Sequence, residues 1–300
     1  MSDAKVLRKP LAQHLKVGVI GIGRMGLPIV KTLKRAGFDV VATSRSQASR
    51  ASAAAGDIKV VDTPWDVAVK ATLILISVFD TAALEEVIQG EDGLIGSLQA
   101  GSIVIDLGTS AISETLKLAT LIEDAGAFYI DAPVSGGTRG AAEGKLTIMA
   151  GGEYSAIDAA RPVFEALGRL NHMGRNGAGQ STKAINQLVL GQNLIAVAEG
   201  MALAKQLGLD PRQVREALIG GFAESRVLIE HGRRMVEGDF TPGGSIAVFS
   251  KDLRLVRSLL RQHQLELAGL SNAHDQYEQA MRAGLSDRDQ SAILSVIESK

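Results

Sequence analysis

The chain changes its hydrophobic rhythm near its middle. In the first half, short β-branched and aliphatic runs alternate with longer stretches of helical spacing. "KVGVI" (16–20), "DVVAT" (39–43), "TLILISV" (72–78), "SIVIDLG" (102–108) and "YIDAPV" (129–134) read as strands, and "KLTIMAGG" (145–152) reads as one more with a turn. These runs lack the clean apolar/polar alternation of a half-exposed strand. They fit strands buried on both faces, as in a parallel sheet covered by helices. "LPIVKTLKRAG" (27–37), "PWDVAVKA" (64–71) and "ISETLKLATLIEDAG" (112–126) read as helices, two of them closing on glycine.

Around Gly177 the alternation stops. "TKAINQLVLGQNLIAVAEGMALAKQLG" (182–208) reads as one long helix, Asp210-Pro211 opens another, and "FSKDLRLVRSLLRQHQ" and "RDQSAILSVIES" continue the pattern with no convincing strand. The pattern predicts an α/β domain followed by an all-helical one. We expect an N-terminal extension over 1–15, a dinucleotide-binding domain over 16–178 and a helical substrate or oligomerisation domain over 179–300.

The first strand ends in Gly21-Ile22-Gly23-Arg24-Met25-Gly26 and leads into a helix. This is the context a dinucleotide grip requires. The first glycine turns, the second lets the backbone approach a pyrophosphate, and the third lets helix pack on strand. The helix N-terminus then presents free N–H groups to the phosphates. The expectation is a doubly wound Rossmann-type domain; a tight glycine turn without ligand is the other reading. At the end of the second strand an NAD site places an acid on the ribose 2′-hydroxyl. Here the chain reads Thr43-Ser44-Arg45-Ser46. Hydroxyls and a guanidinium suit a 2′-phosphate, so NADP is expected over NAD, with NAD still usable. Arg45 as a solvated surface arginine is the alternative.

Composition narrows the classes. With 46% hydrophobic and 22% charged residues, the 300-residue chain is built to fold into a globular core. The net charge of -1 offers no overall attraction to nucleic acid or an anionic membrane. No cysteine is present, which removes disulfides, thiolate catalysis and thiolate-bound metal, and fits a cytoplasmic setting. The first 15 residues carry charges and Pro10 and do not read as a signal peptide. The longest apolar stretch, 188–207, is interrupted by Gln192, Asn193, Glu199 and Lys205 and is expected not to span a bilayer. His14, His172, His231, His263 and His274 show no metal-ligand spacing, so no metal is expected.

Three further stretches, "DAPVSGGTRGAAEG" (131–144), "GAGQSTKAINQ" (177–187) and "FSKDL" (249–253), follow the glycine motif in order. Together the four resemble the β-hydroxyacid dehydrogenase family, over nearly all of the chain after Leu15. That family includes 3-hydroxyisobutyrate dehydrogenases and tartronate semialdehyde (2-hydroxy-3-oxopropionate) reductases. "GGFAESRVL" and "GDFTPGG" look closer to the second branch.

The resemblance implies hydride transfer between a nicotinamide cofactor and a short 3-hydroxy acid or its semialdehyde. It makes Lys183 the general acid/base. A lysine among apolar neighbours can have a lowered pKa and exchange protons near neutrality. The resemblance assigns the substrate carboxylate to Ser135, Gly136 and Gly137, where a glycine turn can expose N–H groups; a plain turn is the other reading. It places Thr109 beside the nicotinamide ribose, although Gly108 stands where the family commonly has serine. Val78 and Phe79 would line the nicotinamide pocket or simply pack. Lys251 would reach the cleft, or lie on a solvated face. Asn186 and Gln187 fall on the face of Lys183 one turn on. The family's substrate asparagine sits four residues after the lysine, and here that position is Gln187. The resemblance further implies a homodimer or homotetramer joined through the helical domain. Imine reductases share the architecture but usually lack the lysine. A non-catalytic dinucleotide-binding sensor is the reading from another class.

Overall fold

The computed structural model describes residues 16–299, and the expected extension over 1–15, with His14, lies outside them. By contacts the chain divides into two compact units between Lys183 and Ala184.

In the first unit β1 (Lys16–Ile20), α1 (Gly26–Arg35), β2 (Asp39–Thr43), α2 (Gln47–Ala55), β3 (Lys59–Val60), α3 (Pro64–Lys70) and β4 (Leu73–Ile76) follow in turn. Then come α4 (Thr81–Gln89), β5 (Ile103–Asp106), α5 (Ile112–Asp124) and β6 (Phe128–Asp131). These six strands pair in parallel in the order β3-β2-β1-β4-β5-β6. The order reverses between β1 and β4, the switch point where a doubly wound sheet opens a ligand crevice. The strands bury both faces, as their unbroken apolar runs require. Leu73 and Leu75 of β4 join α1 residues Ile29, Val30 and Leu33 in one core cluster. Ile74 and Ile76 join Val67 of α3, Leu84 of α4 and Leu118 of α5 in the other.

Beyond β6 come β7 (Val134–Ser135), α6 (Gly137–Glu143), β8 (Leu146–Gly151), α7 (Tyr154–Leu167) and β9 (Gly168–Gly174). The run "YIDAPV" was expected as one strand and is two. β6 stays parallel to β5, whereas β7 pairs antiparallel with β8. Pro133 lies between them, with no N–H to donate to a ladder. Its carbonyl instead accepts the N–H of Met149 at 3.1 Å. β9, "GRLNHMG", pairs parallel to β8 and has no apolar pattern to announce it.

α8 (Ala178–Gln206) starts four residues before the expected helix and runs from the first unit into the second. The second unit continues with α9 (Pro211–Leu218), α10 (Arg226–Glu237), α11 (Ile246–Gln262), α12 (Ala268–Arg282) and α13 (Ile293–Glu298). Its described residues hold no strand, only an isolated bridge between Ser245 and Asp289. α9 begins as expected, with Pro211 in the first turn and Asp210 accepting the N–H of Arg212. Leu194, Ile195, Ala198 and Met201 of α8 pack with Leu253 and the Phe249–Tyr277 edge-to-face ring pair. By length and composition alone α8 is long and apolar enough to cross a membrane, a test that the core helix of a globular protein also passes. Its core-facing residues account for much of that apolar character, because the unit's hydrophobic cluster forms around them.

Candidate active site

The glycine loop meets the steric requirements of the motif. A Cβ on Gly21 would lie 2.3 Å from the carbonyl oxygen of Ser77, and one on Gly26 would lie 1.9 Å from that of Gly21. Loop, strand and helix therefore pass closer than any side chain permits. A Cβ on Gly23 would meet nothing within 4 Å, so the loop is open on that side. Gly23 and Arg24 are exposed, Met25 is half-buried and Ile22 is buried in the core. α1 has no side-chain cap and no acid in its first turn. Open backbone beside an uncapped helix start fits a pyrophosphate.

At the end of β2, Ser44 is half-buried and Arg45 is exposed. The hydroxyl of Ser46 caps α2 by accepting the N–H of Ser49, which leaves its own proton to donate. A residue missed in the sequence is Arg50, whose guanidinium donates to the carbonyls of Ser44 and Arg45. Its signal was its place one turn into the following helix. Val78, half-buried, and Phe79, 54% exposed, follow β4. Thr109, half-buried, follows β5.

The ends of β5, β6 and β7 all reach the start of α8. Asp131 closes β6 with no exposure; its two oxygens accept the N–H groups of Gly177 and Gln180 at 2.7 and 2.8 Å. The glycines of "GAGQ" make this possible: a Cβ on Gly179 would sit 2.3 Å from the Asp131 carbonyl oxygen. Burial pushes the Asp131 carboxyl up to about 7, against the pull of these two N–H bonds and helped by the neighbouring Asp106. Asp106 stands opposite it in register at the end of β5, equally buried. It accepts Gly108 N–H at 2.8 Å and the Ser110 hydroxyl at 3.0 Å. Burial, then the two carboxylates, push the Tyr129 hydroxyl well above its ordinary range.

Lys183 follows on α8, only 7% exposed, and its Nζ donates to the main-chain oxygen of Val134 at 2.8 Å. This bond fixes where the side-chain nitrogen sits. The next residue, Ser135, is half-buried, and Gly136 and Gly137 after it are exposed. Both glycines have positive φ, 129° and 62°, where a side chain would be strained. Lysine and glycine turn, 46 or more residues apart in sequence, are thus brought together. Asp106, Asp131 and Gln180 went unnoticed in the sequence. The signal was an acid closing each of two successive strands and an amide one helical turn before the lysine.

In the second unit, Asn186 donates to Gln187 Oε1 at 2.8 Å, and Gln187 Nε2 donates to Asp252 Oδ2. Asp252 is buried and pairs through its other oxygen with Lys251 at 2.9 Å. These four form one polar chain between α8 and α11. Among the described residues no group of three or more His, Asp or Glu side chains could hold a metal.

Comparison with known proteins gives consistent matches along the chain. Residues 16–178 match the family model described as the NAD binding domain of 6-phosphogluconate dehydrogenase. Residues 177–297 match the one described as NAD-binding of NADP-dependent 3-hydroxyisobutyrate dehydrogenase. The chain is 36% identical to 2-hydroxy-3-oxopropionate reductase of Escherichia coli over 285 residues, 95% of this chain and 97% of that protein. A solved 3-hydroxyisobutyrate dehydrogenase from Salmonella typhimurium superposes with a TM-score of 0.86 at 27% identity, covering 94% of this chain and 99% of that one. Psf3, solved in complex with NADP+ and 2-OPP, superposes with a TM-score of 0.87 at 26% identity over the same shares.

Proposed function

The chain belongs to the β-hydroxyacid dehydrogenase family, whose members use NAD(P), and from that premise we propose that it interconverts a short 3-hydroxy acid and its semialdehyde with Lys183 as general acid/base. The observation that carries this reading is the bond from Lys183 Nζ to Val134 O, which holds a buried ammonium one residue from the Ser135 turn. Bound nicotinamide supplies the hydride chemistry. The chain's own groups bind, orient and move the proton. N–H groups of Gly136 and Gly137 and the Ser135 hydroxyl take the substrate carboxylate. In reduction Lys183 gives its proton to the carbonyl oxygen; in oxidation it takes the proton of the hydroxyl. Gln187 and Asn186 serve the substrate, and Lys251, Thr109, Val78 and Phe79 serve the cofactor. A buried lysine beside an acid-binding turn favours this over imine reduction or a purely sensory role.

We take 16–178 as the dinucleotide-binding domain and 179–300 as the helical domain. NADP is the preferred partner, on Ser44, Arg45 and the added Arg50. A homodimer or homotetramer is consistent with exposed Ile185, Val189 and Leu203 on α8 and Leu207 just after it, and we place the protein in the cytoplasm. The deciding experiment is a spectrophotometric screen of small hydroxy acids and semialdehydes with both cofactors. Turnover of 2-hydroxy-3-oxopropionate or 3-hydroxyisobutyrate is expected; absence of turnover on every member of the panel would overturn the reading. Light scattering on the purified protein tests the oligomer.

A further inference from the structure

Gln180 is 2% exposed, and its side-chain amide is spent on the loop after β5. Oε1 accepts the N–H of Ser110 at 3.1 Å. Nε2 donates to the carbonyl of Gly108 at 3.0 Å and to Asp106 Oδ2 at 3.3 Å. Gly108 and Ser110 flank Thr109, so one amide grips the chain on both sides of that residue, as a neighbouring strand would. The main chain of Gln180 is held separately, its N–H donating to Asp131. Lys183 lies three residues further on the same helix, and its ammonium is tied to Val134.

We propose that Gln180 is a positioning residue that sets the Lys183 ammonium against the Thr109 loop, by pinning the first turn of α8 to that loop through a donor and an acceptor at once. The proposal rests on the reading of Lys183 as acid/base. Only a group with both a donor and an acceptor meets the demand. A methionine of similar shape offers neither. An ionised glutamate accepts only and faces Asp106, Asp131 and the Tyr129 hydroxyl, with Lys183 one turn on. A protonated glutamic acid offers O–H and C=O and restores the grip.

The test uses Gln180→Met, Gln180→Glu, Lys183→Ala and the Gln180→Met/Lys183→Ala double variant of the full chain. Each is assayed with NADPH and 2-hydroxy-3-oxopropionate, or with NADP+ and 3-hydroxyisobutyrate if that turns over faster. NADPH affinity is titrated by fluorescence. Gln180→Met is expected to lower kcat by about ten- to a hundredfold, the scale of a misplacement near 1 Å, with NADPH affinity close to the parent's. In the Lys183→Ala background the same change should cost little, because the two residues act as a unit. Gln180→Glu should be impaired at neutral pH and recover relative to the parent as pH falls. Full activity of Gln180→Met, or a glutamate variant as poor as methionine at every pH, overturns the proposal. Additive losses in the double variant overturn it alone and leave the acid/base reading standing. Parent-like turnover by Lys183→Ala removes both. Should Gln180→Met fold poorly, the pH response of Gln180→Glu decides.

Discussion

Lys183 donates its Nζ to the main-chain oxygen of Val134 at 2.8 Å, and so a helix-borne cation ends beside the residue that opens the Ser135-Gly136-Gly137 turn. The start of that helix is itself anchored, through Gly177 and Gln180, on the buried Asp131 that closes the preceding strand. Strand end, turn and lysine are therefore one mechanical unit.

Lys183→Ala should reduce kcat by about 10² to 10⁴, the usual worth of a positioned acid/base, while cofactor affinity stays near the parent value. Steady-state kinetics beside a cofactor titration checks this. A variant with most of its turnover intact would sink the assignment.

Ser135→Ala should raise KM for a carboxylate substrate more than KM for cofactor. The loss of one hydrogen bond to a charged group, about 1.5 to 3 kcal/mol, sets the scale. The comparison needs a substrate analogue without a carboxylate: an equal loss on both compounds would remove the carboxylate from this turn.

A kcat/KM higher with NADPH than with NADH by about ten- to a hundredfold is expected, from one charge-assisted phosphate contact at 1.4 kcal/mol per decade. Arg45→Ala should erase most of that preference and Ser44→Asp should reverse it. Arg50→Ala should weaken NADPH as well, because Arg50 braces the carbonyls of Ser44 and Arg45. Equal efficiencies in the parent protein would contradict the reading.

Asp131 gives a pH prediction. Its carboxyl is raised to about 7 by burial, so the folded state holds this proton more tightly than the unfolded one. The stability that this contributes is full below the ordinary carboxylate range and is lost as pH rises through about 7. Thermal unfolding across that window should show the decline. Asp131→Asn should flatten it, at a constant cost from turning an amide N–H toward the N–H of Gly177 or Gln180. An unchanged slope in the variant would exclude Asp131 as its source.

Asp289 gives the opposite sign in the second unit. Burial favours its neutral form, but bonds from His231, from the hydroxyl and N–H of Ser291 and from Gly243 outweigh this and hold the carboxyl well below its usual range. Its contribution is present above the ordinary carboxylate range and fades only as pH falls far below it. Asp289→Ala strands several buried donors and should cost about 3 to 5 kcal/mol by denaturant unfolding. A loss under 1 kcal/mol would show that these donors find other partners.

Much of the fold was legible because its code is local. "TLILISV" and "SIVIDLG" are apolar on both sides of the pleat, which only a doubly covered sheet accepts. Gly21 and Gly26 stand where a Cβ would strike backbone, so the loop shape follows from residue type alone. Lys183 could be nominated from its motif and found a place one residue from the Ser135 turn. What only the tertiary structure decided is non-local. Pro133 splits one apparent strand: its first half stays on β5, while β8 arrives antiparallel beside both halves. β9 is a strand because β8 supplies partners, not because "GRLNHMG" has a pattern. Asp106, Asp131 and Gln180 are far apart along the chain, and each alone looks like an ordinary polar residue. Their meaning appears only when two adjacent strand ends bury both acids and one amide must satisfy a loop and a helix together. A polar side chain in the core takes its role from the partners that remove it from water, and the chain order does not contain that arrangement.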